Sequence, residues 1–405
     1  MVKGGLFFAL PGAKVDGHQF LREAARRGAA AAVVSKSYSG QDFGMSLIRV
    51  PNVLDALHVL AKEKMANTKA KIIGITGSIG KTTTKEFIAG ILSEKYRVYK
   101  TPHSYNTQIS FPISLLNAEA GYEYFVLEMG MSGKGHIKKL ISIAPPHIAV
   151  LTRISHSHLE FFSSVEEISQ AKAEIFLSRQ LEQKIISCQA ESFPPVRNTG
   201  NVSTIVYGKD IFYQKKGKEI RLCSQGESSP WFADPFEASH FLENFLGAAA
   251  VGLALGLTWK DIIGSIKHLP MPKMRFEKVF SQNILFINDS YNANVDSTRA
   301  ALQNLPSPAA GKKTLLVFAD MKELGGYTKK AHQEIAIAAI KKVDGCLCLG
   351  EESKYIADYF QKHQKLGLHF DNKLSLQHHL MKIAEEGDVV LLKGANSYRL
   401  WEIIP

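Results

Sequence analysis

The sequence predicts an α/β fold in three units: a small N-terminal α/β domain, a central phosphate-loop domain on a parallel sheet, and a C-terminal α/β domain. Three observations carry this. Residues 71–86, KIIGITGSIGKTTTKE, read as strand, glycine turn, helix. Apolar strand-like runs alternate with helical patterns along the chain, which builds parallel sheets covered by helices. Pro270, Pro272 and Arg275 mark a break before a last set of such runs. A length of 405 residues suits two or three domains of roughly 100–200 residues each.

Residues 1–70 hold the strand LFFAL, a Pro-Gly turn, a helical stretch over 16–28, the strand AAAVVS and a helical pattern over 53–66. The first strand begins five residues after Met1, so this domain is expected to be short at its N-terminus, through either truncation or a misassigned start. Residues 71–272 form the central domain. After the phosphate loop come VYKTP, YEYFVLEMGM and HIAVLTRI, then the helical EEISQAKAEIFLS. Residues 183–238 are polar and strand-like, and a helix resumes over 240–255. Residues 273–405 carry ILFIND, TLLVFAD, GCLCLG and DVVLLKG with helices between, a Rossmann-like pattern of parallel strands.

Composition narrows the function. Apolar residues make up 45% and charged residues 21%, ordinary for a globular protein. The net charge of +11 is not gathered into a Lys/Arg block. Lys138-Lys139 and Lys341-Lys342 read as solvated faces. The basic balance suits small polyanionic substrates, and nucleic acid is not expected as a partner. Cys188, Cys223, Cys346 and Cys348 form no CxxC pair, which argues for a reducing compartment without disulfides or zinc. The most apolar stretch, 245–259, is too short to span a bilayer, and the opening run is too short for a signal peptide. A soluble, cytoplasmic protein is expected.

The chemistry starts at the phosphate loop. Glycines let backbone N–H groups curl around an anion, and the helix N-terminus adds partial positive charge. Gly77, Ser78 and Gly80 shape the turn, Lys81 reaches for the β- and γ-phosphates, the Thr82 hydroxyl suits Mg²⁺, and Thr83 follows. The general motif wants a further Gly at position 75, where Ile75 stands. Glu128 ends an apolar strand, where the second metal ligand of such a site belongs. A surface or capping Glu is the bland alternative. His158 could ligate a second metal, or be a loop histidine with a hydrogen bond. Lys172 reads by default as a solvated helical lysine. Asp289 and Asn292 follow the strand ILFIN, where ligand contacts and plain turns are both common. The residues alone give an ATP-dependent enzyme without a substrate.

The motifs together resemble the Mur ligase family over almost the whole chain. TGSIGKTTTKE is similar to its TG-x-x-GKTTT, which lacks the early Gly. YNTQISFPISLL resembles NYN-x-x-x-G-x-P-x-x-LL, DSYNANVDST resembles DSYNANP-x-S-M, and DMKELGGYTKKAH resembles DM-x-ELG followed by His. YFVLEMGMSGKGHI, HLEFFSSVEEI and AKAEIF resemble the central blocks, and the DNPR motif of one branch is missing. The resemblance implies an ATP-dependent amide ligase working through an acyl phosphate. For the branch resembled, the acceptor is UDP-N-acetylmuramoyl-tripeptide, bound at its uridine end by the first domain, and the amine is D-alanyl-D-alanine. A monomer is expected. Rival readings are another Mur ligase, a folylpolyglutamate-synthase-like ligase, or a non-catalytic nucleotide-binding remnant.

The resemblance also implies roles. Lys81 holds phosphates. Thr82 and Glu128 bind one Mg²⁺. His158 binds a second, with Lys172 as a carbamylated lysine. Asn244, Arg275, Asp289 and Asn292 contact the nucleotide, and Asn106 and Thr107 the substrate. The chain departs from the pattern at Arg153 (TNI is TRI here), at Phe241 in HFLEN, and at LKGAN near Lys393. The N-terminal DSR element expected just before Met1 is missing, which bears on uridine binding.

Overall fold

The computed structural model describes residues 3–12, 15–156, 159–236 and 238–405. Three sheets follow one another along the chain. The first has three parallel strands in the order Leu6–Phe8, Ala31–Ser35, Ser46–Val50. Ala9, Leu21, Ala32 and Val34 form its small core. Helix Val53–Ala66, capped by the Asn52 side chain, then leads into the central sheet.

Strand Lys71–Thr76 lies inside the central sheet. It pairs in parallel with Tyr124–Glu128 on one side and Ile148–Leu151 on the other. Val98–Lys100 extends the sheet beyond the former, and Gln183–Ser187 and Ser203–Tyr207 beyond the latter. The apolar runs have a physical reason. Ile73, Ile75, Val126 and Val150 point into a core with helices Lys81–Ser93 and Ser239–Ala254. Ile72, Phe125, Leu127, Ala149 and Leu151 point into a second core on the other face. A strand buried on both faces has no polar alternation to show.

The sheet departs from the all-parallel expectation at its far edge. Ile211–Lys216 and Glu219–Ser224 form an antiparallel hairpin, extended by the short strands Glu227–Ser228 and Phe232–Ala233. This accounts for the polar stretch 183–238: beyond its first residue the strand Ile211–Lys216 is exposed and largely polar, and only Glu219–Ser224 keeps buried apolar positions.

The third sheet runs Glu277–Ser281, Ile284–Asn288, Val389–Lys393, Thr314–Ala319, Gly345–Leu349, Leu366–Phe370. The first pair is antiparallel and the rest parallel. Cys346 and Cys348 are buried in the strand Gly345–Leu349 on one face, as their alternation predicts. One apolar cluster contains Ile73, Phe87 and Phe245 of the central part and Phe276, Ile287 and Leu391 of the C-terminal part. The carboxyl ends of the strands in both sheets supply side chains to the same cleft. Among the described residues no helix is long and apolar enough to cross a membrane.

Candidate active site

Gly77 and Gly80 turn the chain from strand Lys71–Thr76 into helix Lys81–Ser93. Both have positive φ, 150° and 87°. A Cβ on Gly77 would lie 1.8 Å from Thr152 Oγ1, and one on Gly80 would lie 2.4 Å from Asn244 Oδ1. The turn therefore admits only glycine without rearrangement. Ser78 ties it to the neighbouring strand end. Its N–H donates to the Arg153 carbonyl at 2.7 Å, and its hydroxyl accepts from the Ser155 N–H at 3.0 Å.

Two lysines converge beneath this turn. Lys81 Nζ donates to the Gly77 carbonyl at 2.9 Å and to that of Ser78 at 3.4 Å. Lys172, at the end of helix Val165–Ala173, donates to the same Gly77 carbonyl at 2.9 Å and is 1% exposed. Burial lowers the pKa of both amines. For Lys81 the Glu128 charge opposes that effect. For Lys172 the Lys81 charge adds to it, and the amine falls well below the ordinary lysine value. The default expectation of a solvated helical Lys172 thus fails, because tertiary packing closes over it.

Glu128 ends strand Tyr124–Glu128 and is buried. Its Oε2 accepts the Thr82 hydroxyl at 2.8 Å, and its Oε1 accepts the Asn106 amide at 2.6 Å. Its own N–H donates to Thr101 Oγ1 at 3.1 Å. The Thr82 and Glu128 oxygens stand about as far apart as adjacent ligands of an octahedral Mg²⁺ with bonds of about 2.0–2.1 Å. Hydroxyl and carboxylate are also the hard donors that ion prefers, so the pair fits it. Among the described residues no group of three or more His, Cys, Asp or Glu side chains could hold a metal. Magnesium takes few protein ligands beside phosphate oxygens. The predicted ligand His158 lies outside the described residues.

The third domain closes the cleft. Arg275 Nη2 donates to Thr82 Oγ1 at 3.0 Å, and its guanidinium stands 4.3 Å from the centre of the Tyr291 ring. Asp289 Oδ2 accepts from Lys393 at 2.6 Å, and its Oδ1 accepts from the Phe276 N–H at 3.1 Å. Lys393 also donates to the Asn292 carbonyl at 2.9 Å. Burial lowers the Lys393 pKa and Asp289 opposes it. The Asn292 side chain accepts from the N–H of Ala293 at 2.9 Å.

The cleft measures about 940 Å³. Its walls bring together Ser78, Gly80, Lys81, Thr82, Thr83, Asn106, Thr107, Glu128, Lys172, Asn244, Arg275, Asp289 and Asn292. Gly77 does not line the cleft, and its carbonyl accepts from both lysines. Asn244 accepts from the Thr84 hydroxyl at 3.3 Å. Thr107 is also engaged locally: its Oγ1 accepts from the Ser110 N–H at 3.1 Å at the start of helix Ser110–Leu116.

Several cleft residues had no assigned role. Arg153 and Glu243 pair at 3.1 Å, although both stand within noticed departures or motifs. Lys393 ends an apolar strand, the signal that identified Glu128, and could have been found by it. His240 shows no such signal. Its Nδ1 has no partner, and burial lowers its pKa to about 4.

A buried lysine pair under a glycine turn, a hydroxyl–carboxylate pair beside it and an arginine from a second domain define a nucleotide site of a phosphoryl-transfer type. Known proteins agree. Residues 75–252 match the Mur ligase middle domain, 274–396 the Mur ligase glutamate ligase domain, and 1–65 the Mur ligase family catalytic domain. The chain belongs to the Mur ligase family. It is 32% identical to the UDP-N-acetylmuramoyl-tripeptide–D-alanyl-D-alanine ligase of Bacillus subtilis (strain 168), over 98% of this chain and 89% of that one. It is 33% identical to the enzyme of that name from Rickettsia prowazekii (strain Madrid E), over 99% and 92%. The crystal structure of MurF ligase from Thermotoga maritima in complex with ADP superposes with a TM-score of 0.85 at 29% identity, covering 99% of this chain and 94% of that one.

Proposed function

We infer that this chain is an ATP-dependent ligase joining D-alanyl-D-alanine to UDP-N-acetylmuramoyl-tripeptide in peptidoglycan precursor synthesis. The observation that carries the reading is the Thr82–Glu128 pair beside Lys81, set in a cleft that Arg275 closes from the second domain. The relatives of about 30% identity that span nearly the whole chain supply the substrates.

The reaction divides in two. The acceptor carboxylate attacks the γ-phosphorus of ATP, an acyl phosphate forms and ADP leaves. The amine of D-alanyl-D-alanine then attacks the acyl carbon, an amide forms as the nitrogen gives up a proton, and phosphate leaves with its electron pair and can carry that proton away. Lys81 and Arg275 neutralise phosphate charge. The N–H groups of the glycine turn orient the same oxygens, and positioning with charge neutralisation supplies most of the catalysis. Thr82 and Glu128 would hold Mg²⁺, which when bound withdraws charge from the transferring phosphoryl group. A second Mg²⁺ near Lys172 and His158, with Lys172 carbamylated, belongs to the same proposal. So do the acceptor contacts at Asn106 and Thr107 and the nucleotide contacts at Asn244, Asp289 and Asn292. The proposed divisions remain 1–70 for the UDP end, 71–272 for ATP and 273–405 as the C-terminal Rossmann-like ligase domain. Four unpaired cysteines suit the cytoplasm.

The test is phosphate release from ATP and Mg²⁺ with UDP-N-acetylmuramoyl-tripeptide, with and without D-alanyl-D-alanine. Release that needs both substrates is the expected result. Release with a different acceptor or amine in their place, or none although ADP binds, would overturn the substrate assignment.

A further inference from the structure

Lys85 lies one helical turn beyond Lys81, yet its side chain leaves the nucleotide cleft. It is fully buried, at 0% exposure. Its Nζ donates to the carbonyls of Thr101 at 2.7 Å and His103 at 2.6 Å, and it pairs with Glu86 at 3.1 Å. Burying an ammonium is costly unless it is paired and hydrogen-bonded. These three partners meet that condition, and two of them are backbone carbonyls of one short loop.

That loop needs holding. His103 has φ of 46°, in the left-handed region that a non-glycine residue reaches only at a cost. From this fixed point the loop sends three groups to the site. Thr101 Oγ1 accepts from the Glu128 N–H. Asn106 Nδ2 donates to Glu128 Oε1 at 2.6 Å. Ser104 Oγ accepts from the Tyr291 hydroxyl of the C-terminal domain.

We propose that Lys85 is a positioning residue: it fixes the loop 101–107, and through Asn106 the Glu128 carboxylate and the acceptor side of the cleft, to the helix that carries Lys81. The nucleotide-binding and acceptor-binding parts of the site thereby share one rigid element, although Lys85 touches neither ligand. The acceptor half of this statement rests on the function inferred above.

Lys85→Met keeps the length of the side chain and removes the charge and donors. Lys85→Arg keeps both. In Lys85→Met the ADP affinity measured without Mg²⁺ is expected to stay within about threefold of wild type, because the glycine turn does not depend on Lys85. The KM for UDP-N-acetylmuramoyl-tripeptide is expected to rise at least tenfold, and Lys85→Arg to restore part of it. Hydrogen exchange of the ADP-bound protein reads the same claim without turnover: amides of 101–107 exchange about tenfold faster, and those of helix Lys81–Ser93 do not change. Should Lys85→Met fail to fold, Lys85→Gln, which keeps a donor for one carbonyl, carries the same comparison. Unchanged exchange over 101–107, or ADP and acceptor affinities falling in parallel, would overturn the proposal. A wild-type protein without ligase turnover would strike the functional reading instead, and the exchange result would still decide the role of Lys85.

Discussion

Lys172 is the residue whose chemistry differs most from its ordinary behaviour. A lysine on a helix is normally solvated, yet this one is buried and shares the Gly77 carbonyl with Lys81. Burial and the neighbouring positive charge both favour its neutral amine. A neutral amine can attack carbon dioxide: the nitrogen lone pair would form the N–C bond, a proton would leave, and an anionic carbamate would result. Its oxygen would be a hard ligand suited to Mg²⁺, with the negative charge beside Lys81. The sign with pH follows. Acid protonates the amine and drives carbamate loss, so activity is expected to fall as pH drops and to recover when bicarbonate is added. Lys172→Ala is expected to lose about 10²–10³-fold in kcat, the scale of one electrostatic group in a site of this kind. Acetate or formate should return part of it by filling the vacated position. A wild-type rate in Lys172→Ala, with no response to carboxylates, would remove Lys172 from the site.

At the scale of elements, the strand–turn–helix of residues 71–93 does the most. Gly77→Ala places a Cβ against Thr152 Oγ1, which is itself held by the Ile79 carbonyl at 2.6 Å. Thr152 can yield only by losing that bond, so the turn must deform. The left-handed φ adds about 1–2 kcal/mol for any residue with a Cβ. Gly77→Ala is therefore expected to weaken ADP binding by at least tenfold in calorimetry, while circular dichroism stays that of the folded protein. Undiminished binding would show that the turn does not cradle the phosphates. This element was legible because its signals are local: an apolar run buried on two faces, glycines where φ must be positive, and Lys81 and Thr82 at the helix start. Glu128 and the strands Thr314–Ala319, Gly345–Leu349 and Val389–Lys393 were legible for the same reason. The strands Glu277–Ser281 and Leu366–Phe370 and the hairpin 211–224 were not. They lie at or near sheet edges with an open face, so no continuous apolar run marks them. The buried Lys85 and Lys172 were hidden because burial of a lysine is decided by distant chain. The bond from Arg275 to Thr82 spans 193 residues, and only the family resemblance anticipated Arg275.

At the scale of the whole molecule, the C-terminal part reaches over the cleft of the central one. The connection at 274–276 is strained: Met274 and Phe276, on either side of Arg275, have φ of 57° and 54°. Hydrogen bonds from Met274 N–H to Glu277 Oε2 at 2.9 Å and from Phe276 N–H to Asp289 Oδ1 at 3.1 Å hold that shape. Arg275 is thereby aimed at Thr82. A second contact lies across the cleft. The Glu160 N–H donates to the Glu323 carbonyl at 3.2 Å, and the His156 ring stacks on Tyr327 at 5.2 Å. Between them Gly325, with φ of 53°, lets the two backbones approach. A Cβ there would stand 3.2 Å from Glu160 Cα. The neighbour is backbone and not a flexible side chain, so it cannot move aside alone. Gly325→Val should hold the two parts slightly open without touching any group assigned to ATP or acceptor. Small-angle scattering is expected to show a compaction on adding nucleotide to the wild type and less of it in the variant. Ligand sites completed only by closure lose rate when closure is hindered. With about 1–3 kcal/mol of strain placed on the closed form, kcat/KM should fall by roughly 5–150-fold. A variant that compacts fully and turns over normally would show that the contact at Gly325 is incidental to closure, and would leave Arg275 and the strained connection as the elements that set it.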